Sequence, residues 1–205
     1  IGAFPSAARS LLPPVLVALG REHPGLELAV EEIDPLAAAE AVRTGDLDVA
    51  LTQQYDLVPA PDSPALESVM VLSEPMYLAT ERPVAPADDP VRGLRADPWI
   101  LGKPGTLCRT AAERICQTAG FEPRVRHQTD DFPTALALVA AGQGHALLPA
   151  LGTVDCPAGV VLTELPQTSR VMLVNRSGAG AHPATTAFRE AVENSIASRD
   201  TMSRS

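Results

Sequence analysis

A chain of 205 residues, 45% of them hydrophobic, is long enough to bury a real core as one domain or two small lobes. Its formal net charge of −9 argues against gripping nucleic acid unaided, since phosphate binding needs a concentrated basic face. No apolar run approaches the roughly 18 residues of a membrane span, and no basic start followed by an apolar stretch marks an export signal.

Aromatic residues make up only 3% of the chain, so alanine, leucine and valine must fill the interior. Lys103 is the single lysine, against fifteen arginines. Cys108 and Cys116 fall on one predicted helix, separated by a rise of about 12 Å. That exceeds the roughly 7 Å between Cα atoms that a disulfide spans, so a reduced, cytoplasmic setting is expected. Asn175-Arg176-Ser177 matches a glycosylation sequon, but nothing else points to secretion.

The chain opens at Ile1 rather than methionine and is expected to be excised from a longer protein. Residues 1–4 read as the end of a buried strand and Pro5-Ser6-Ala7 as a turn. A helix then runs to about Arg21, with Leu11, Leu12, Val15, Leu16 and Leu19 at helical spacing. Pro13-Pro14 suits its first regular turn better than its interior. Residues 26–31 alternate apolar and polar, as a half-buried strand does. Asp34-Pro35 signals a second helix start, with aspartate as cap and proline in the first turn. Leu36, Ala39 and Val42 form its inner face, and Gly45 stops it in the left-handed conformation. Val49-Ala50-Leu51 then reads as a short strand buried on both faces. Asp46 and Asp48 precede that strand, at the sheet edge opposite to where α/β sheets bind ligands. They are expected to face water while Leu47 plugs the core.

Proline-rich stretches at 58–64 and 86–98 flank an extended apolar segment, 66–80, broken at Glu74-Pro75. A second α/β pass follows. Strand 99–101 leads to a glycine loop, 102–106, and a helix from Leu107 to about Ala119, stopped by Gly120. Strand 124–128 precedes a helix over 131–141, capped by Asp130 or Asp131 and stopped by Gly142. Ala146-Leu147-Leu148 closes the pass. Residues 160–165 and 171–174 read as further strands. The last helix opens at His182-Pro183 and turns Phe188, Val192 and Ile196 inward. The two passes repeat one pattern, which predicts two similar α/β lobes: residues 1–75 plus 166–205, and residues 76–165.

The motifs Leu11-Leu12-Pro13-Pro14-Val15-Leu16, His23-Pro24 and the run from Val42-Arg43-Thr44-Gly45-Asp46 to Leu51 resemble the effector-binding domain of LysR-type transcriptional regulators. Glu74-Pro75-Met76-Tyr77-Leu78, the run from Ala137 through Gly142-Gln143-Gly144, Ala146-Leu147-Leu148-Pro149 and His182-Pro183 continue the likeness. Each motif encodes only turns and packing; their order over about 190 residues makes the resemblance specific. It implies a periplasmic-binding-protein-like fold of type 2, two Rossmann-like lobes joined by two crossover strands, with a small-molecule effector between them. It implies a homodimer or tetramer, antiparallel, with the first helix and the edge strand over 26–33 of one copy packed on the second lobe of the other, near residues 107–128. It also implies DNA binding only through a winged helix-turn-helix that precedes this segment in the parent protein.

The ligand is expected where strand ends meet helix starts, whose free N–H groups suit an anion such as a carboxylate. In the first lobe that is Phe4, Pro5, Ser6 and Ala7; in the second, residues 102–107 including Gly105. Ser6 and Thr106 each offer a hydroxyl, a feature that equally suits an ordinary helix cap. Lys103 either neutralises an acidic effector or points to solvent. Thr52-Gln53 and Thr129-Asp130 complete the rim, with Tyr55 and Phe132 as an apolar wall. His145 reads as packing or surface.

No catalytic or metal signature is present in the sequence: no nucleophile elbow, zinc helix or cysteine–histidine spacing. Gly102-Lys103 and Gly178-Ala179-Gly180 both lack the remaining residues of a phosphate loop. The sequence therefore predicts a sensor rather than an enzyme, with no cofactor and no metal. The alternative on the same scaffold is the solute-binding protein of a transport system.

Overall fold

A computed structural model describes residues 1–59, 63–84 and 89–203, with side chains to residue 199. Parts of the proline-rich stretches at 58–64 and 86–98 lie outside the described residues. Among those described, the elements run β1 (Gly2–Ala3), α1 (Pro5–Ser10), α2 (Leu12–Glu22), β2 (Glu31–Glu32), α3 (Pro35–Thr44), β3 (Val49–Tyr55) and β4 (Leu66–Thr80). They continue with β5 (Pro98–Leu101), α4 (Leu107–Thr118), β6 (Arg124–Gln128), α5 (Phe132–Ala140), β7 (Ala146–Pro149), β8 (Val161–Arg176) and α6 (Pro183–Ser203).

The chain forms two compact α/β units. Unit 1 takes residues 1–53, 61–73 and 170–205; unit 2 takes 54–60 and 74–169. The pairing order β2-β1-β3-β8-β4-β7 is continuous because β4 and β8 are long enough to serve both units. This is the periplasmic-binding-protein-like architecture of type 2.

Local chemistry explains most of unit 1. β1 pairs in parallel with both β2 and β3, through Gly2↔Glu31 and Gly2↔Ala50. The predicted first helix is two: α1 ends at Ser10, and α2 starts at Leu12 with prolines in its first turn. Proline lacks the N–H that an interior turn would need, so Pro13-Pro14 opens a helix instead of continuing one. Asp34 caps α3 by accepting the Leu36 N–H at 2.9 Å, and Gly45 ends it at φ 94°. Leu36, expected on the inner face, is 43% exposed. Ala38 and Val42 set the buried stripe instead, and two residues of helical rotation carry Leu36 to the far side. Those two pack with Leu47, Ala50, Met172 and Val174. Asp46 and Asp48 are exposed; Asp46 accepts the Thr44 hydroxyl and Asp48 lies 3.6 Å from Arg176. Phe188, Val192 and Ile196 of α6 are buried as the spacing predicts.

In unit 2, β5 pairs in parallel with β6, and β4 runs antiparallel to β7 from Met76↔Pro149 to Ala79↔Ala146. β4 is unbroken at Glu74-Pro75, and Pro75 falls just before the stretch paired with β7. The single tryptophan anchors the core. Trp99 is fully buried, 5.9 Å from Phe121 and 5.8 Å from the His145 ring between centroids. His145 is a packing residue beside Asp97, 3.5 Å away. The thiols of Cys108, Cys116 and Cys156 are free. Asn175 is 4% exposed and its amide donates to Glu67 and to the Arg176 carbonyl, which leaves the sequon closed to modification.

Candidate functional site

Each unit presents a strand end followed by a helix start. In unit 1, β1 delivers Phe4, the residue before α1; Phe4, Ser6 and Ala7 are all buried. The first intrahelical bond runs from Ala8 N–H to the Phe4 carbonyl at 2.9 Å, so the Ser6 and Ala7 amides precede it without a helical acceptor. The Ser6 hydroxyl is 3% exposed and has no hydrogen-bond partner among the described residues. β3 runs parallel to β1 and brings Thr52 and Gln53, both buried, past the same end of the sheet. α1 is only six residues long, so this side offers amides and a hydroxyl rather than the full macrodipole of the long helix the sequence predicts.

In unit 2, β5 ends at Leu101 and α4 starts at Leu107. Thr106 caps α4: its hydroxyl oxygen accepts the Arg109 N–H at 3.3 Å and the hydroxyl donates to the Lys103 carbonyl at 3.0 Å. Asp130, after β6, accepts the Lys103 backbone N–H at 2.7 Å, and its carboxylate lies 3.4 Å from the Lys103 ammonium. Asp131, not Asp130, caps α5 through the Thr134 N–H at 2.9 Å. The Thr129 hydroxyl accepts the Asp131 N–H at 3.1 Å. Gly102 lies tightly against this cluster: a Cβ there would sit 2.9 Å from the Thr106 hydroxyl and 3.1 Å from Asp130. Gly105 is exposed, in the left-handed conformation at φ 91°.

The cations of this loop are neutralised locally. Lys103 leans on Asp130, and Arg109 pairs with Glu113 while donating to the Gly102 carbonyl at 3.1 Å. Arg109 gave no signal in the sequence, since an arginine at the third turn position of a helix is ordinary. Tyr55, expected on an apolar wall, is 3% exposed in the unit 2 core and shares a hydrogen bond with Cys108. Burial pushes the Cys108 thiol up to about 11, the Tyr55 bond opposing it only in part. Phe132 begins α5 and packs over Gly152. Among the described residues, no group of three His, Cys, Asp or Glu side chains is placed to hold a metal, and no helix is long and apolar enough to cross a membrane.

The family model of the LysR substrate binding domain matches residues 1–197. The chain belongs to this family. Among the similar proteins, the transcriptional dual regulator GltC of Bacillus subtilis is 32% identical over 158 residues, covering 73% of this chain and 49% of that protein. The C-terminal domain of a probable LysR family transcriptional regulator from Rhodococcus sp. RHA1 superposes with a TM-score of 0.75 at 26% identity, over 93% of this chain and 96% of that one. The BenM effector binding domain with its effector benzoate shares the fold, at a TM-score of 0.76 and 20% identity over 97% of this chain and 91% of that one. The chain spans about half the length of the curated relatives it matches. It is thus the effector-binding domain of a LysR-type transcriptional regulator.

Proposed function

We propose that this LysR domain senses a small anionic, carboxylate-bearing metabolite and leaves it chemically intact. The ligand is held at the strand ends of both units, by Phe4, Ser6, Ala7, Thr52 and Gln53 in unit 1 and by Lys103, Gly105, Thr106, Thr129 and Phe132 in unit 2. The observation that carries this reading is the Ser6 hydroxyl, buried without a partner. Burying a hydroxyl unpaired costs on the order of 1–3 kcal/mol, and an accepting carboxylate oxygen removes that cost. The α4 helix, twelve residues long, adds a positive dipole end from unit 2. Ligand binding that favours one arrangement of the two units then alters DNA binding by the longer parent protein, by an amount set by the difference in affinity.

The domain works as a homodimer, or as a tetramer built from such dimers. Charge pattern supports this: the edge strand β2 carries exposed Glu31 and Glu32, and the edge strand β6 carries exposed Arg124 and Arg126. Uncovered strand edges of opposite sign suit pairing between copies. Sedimentation should show a dimer that loosens as salt rises; a monomer at high micromolar concentration sinks the dimer reading.

The ligand reading is tested by a thermal-shift screen of small carboxylates and aromatic acids, because binding to the native state raises its melting temperature. A hit abolished by Ser6→Ala supports it. A hit untouched by both Ser6→Ala and Thr106→Ala removes these positions from the site.

A further inference from the structure

Unit 1 carries an open groove of about 400 Å³ lined by Glu67, Gly178, Gly180, Ala181, Thr186 and Arg189. Arg176 fixes its place on the sheet, donating to the carbonyls of Val42 and Leu47 at 3.1 and 3.0 Å. Those carbonyls precede β3, so the turn after β8 lies by the amino-terminal end of β3. Phe4 and Ser6 follow the carboxyl-terminal end of β1, and Thr52 and Gln53, in the second half of β3, lie on that side of the β1–β3 pairing. The groove is therefore separate from the positions proposed above.

Its two charges are arranged differently. The Gly178 N–H donates to Glu67 Oε1 at 2.9 Å, and the buried Asn175 amide donates to Oε2 at 3.2 Å. These bonds, the Gly178 one first, hold the Glu67 carboxyl below its usual range. Glu67 is thus a fixed anion on the groove wall. Arg189 is half-buried on the second turn of α6 and has no carboxylate within ion-pair distance among the described residues. A guanidinium presents paired N–H donors that match a carboxylate. Thr186, one turn earlier, adds a hydroxyl that reaches the Gly180 carbonyl at 3.3 Å.

We infer that this groove binds a small zwitterion of the α-amino acid class, its carboxylate on Arg189 and its ammonium on Glu67. The groove volume falls at the lower end of the roughly 300–1,000 Å³ of small-molecule sites. The inference does not rest on the effector reading and makes unit 1 the carrier of a second input.

The test titrates the whole chain with the common L-amino acids, each beside its decarboxylated amine and its deaminated acid, read by calorimetry and thermal shift. At least one amino acid should bind, and neither of its half-charged relatives should match it. Arg189→Ala should weaken that binding at least about tenfold. Glu67→Gln should do likewise, and Ser6→Ala should leave it unchanged. No binding by any amino acid, equal binding by the acid alone, or binding that survives Arg189→Ala overturns the inference. So does binding lost only with Ser6→Ala, which would place the ligand at the other end of the sheet.

Discussion

The starts of α1 and α4 occupy equivalent places in the two units, yet their hydroxyls are used differently. Thr106 is fully engaged: it caps its helix, holds the Lys103 carbonyl and touches the Gly102–Asp130 cluster. Ser6 is equally well placed and more deeply buried, and bonds to nothing described. A hydroxyl in a satisfied network stabilises the fold; one buried alone costs stability until something accepts from it. The Thr106 hydroxyl of unit 2 is therefore committed to structure, and the Ser6 hydroxyl of unit 1 is left unpaired. Stability and binding should separate along that line.

The largest expected effect comes from alkaline pH, which asks how closed the α4 side is. A thiol in an exposed first helical turn is normally acidified by nearby amides; Cys108 is instead raised to about 11 by burial, and Cys116 to about 12, by burial first and then by Glu122 and Glu113. The unfolded chain loses these protons near 9.0, before the folded one does, so unfolding is favoured as pH climbs above that value. Stability should fall by on the order of a few kcal/mol between pH 9 and pH 11. Denaturant melts across that range check this, with iodoacetamide labelling of native protein at pH 8 expected to be slow at both cysteines. Rapid labelling of Cys108 would mean that the α4 start is open and its amides unspent.

Gly102→Ala should cost about 1–3 kcal/mol, the usual range for overpacking. Its Cβ would press on the Thr106 hydroxyl and on Asp130, and both are held by other bonds. A melting temperature within a degree of the parent's would show that this cluster yields easily and that the contrast with α1 is overdrawn.

Much of this framework was legible because it follows from local rules. Asp34 as a cap and Gly45 as a left-handed stop depend on a few neighbouring residues, whereas the alternation over 26–31 overshoots, since the strand there is only Glu31–Glu32. The break at Leu11 was not, because Pro13-Pro14 marks where a helix can begin but not where the previous one stops. Pro75 and Pro166 look like strand breakers, yet β4 and β8 pass through both; whether a proline harms a strand depends on which of its sides is bonded. The site shows the same limit more sharply. The sequence places Ser6 and Thr106 at helix starts, and Lys103 in the glycine loop. It does not show that Asp130, 27 positions away, occupies Lys103, or that Ser6 is left alone. Those facts belong to tertiary contacts, which residue spacing does not encode.

Thr106→Ala should cost about 1 kcal/mol, the typical loss of a helix cap. It should also loosen the 102–106 loop, because the Lys103 carbonyl loses its donor. Any weakening of ligand binding should come together with that loss of stability, and rescue by Thr106→Ser should restore both. A variant that binds poorly but melts normally would show that Thr106 acts on the ligand directly, and the two helix starts would then be alike after all.

Ser6→Ala should have the smallest effect on stability and the clearest on binding. Removing a buried oxygen that bonds to nothing also removes its desolvation cost, so the change should be neutral within about 0.5 kcal/mol, or slightly stabilising. Alanine is also a better helix former than serine, which pushes in the same direction. With a carboxylate ligand from the screen the sign reverses: the parent gains a charge-assisted bond that the variant cannot make, and affinity should fall by about tenfold or more. The decisive measurement is the pair of melting curves for each protein, with and without ligand. If Ser6→Ala melts well below the parent in the absence of ligand, the hydroxyl already has a partner within the fold, and Ser6 is a structural residue like Thr106.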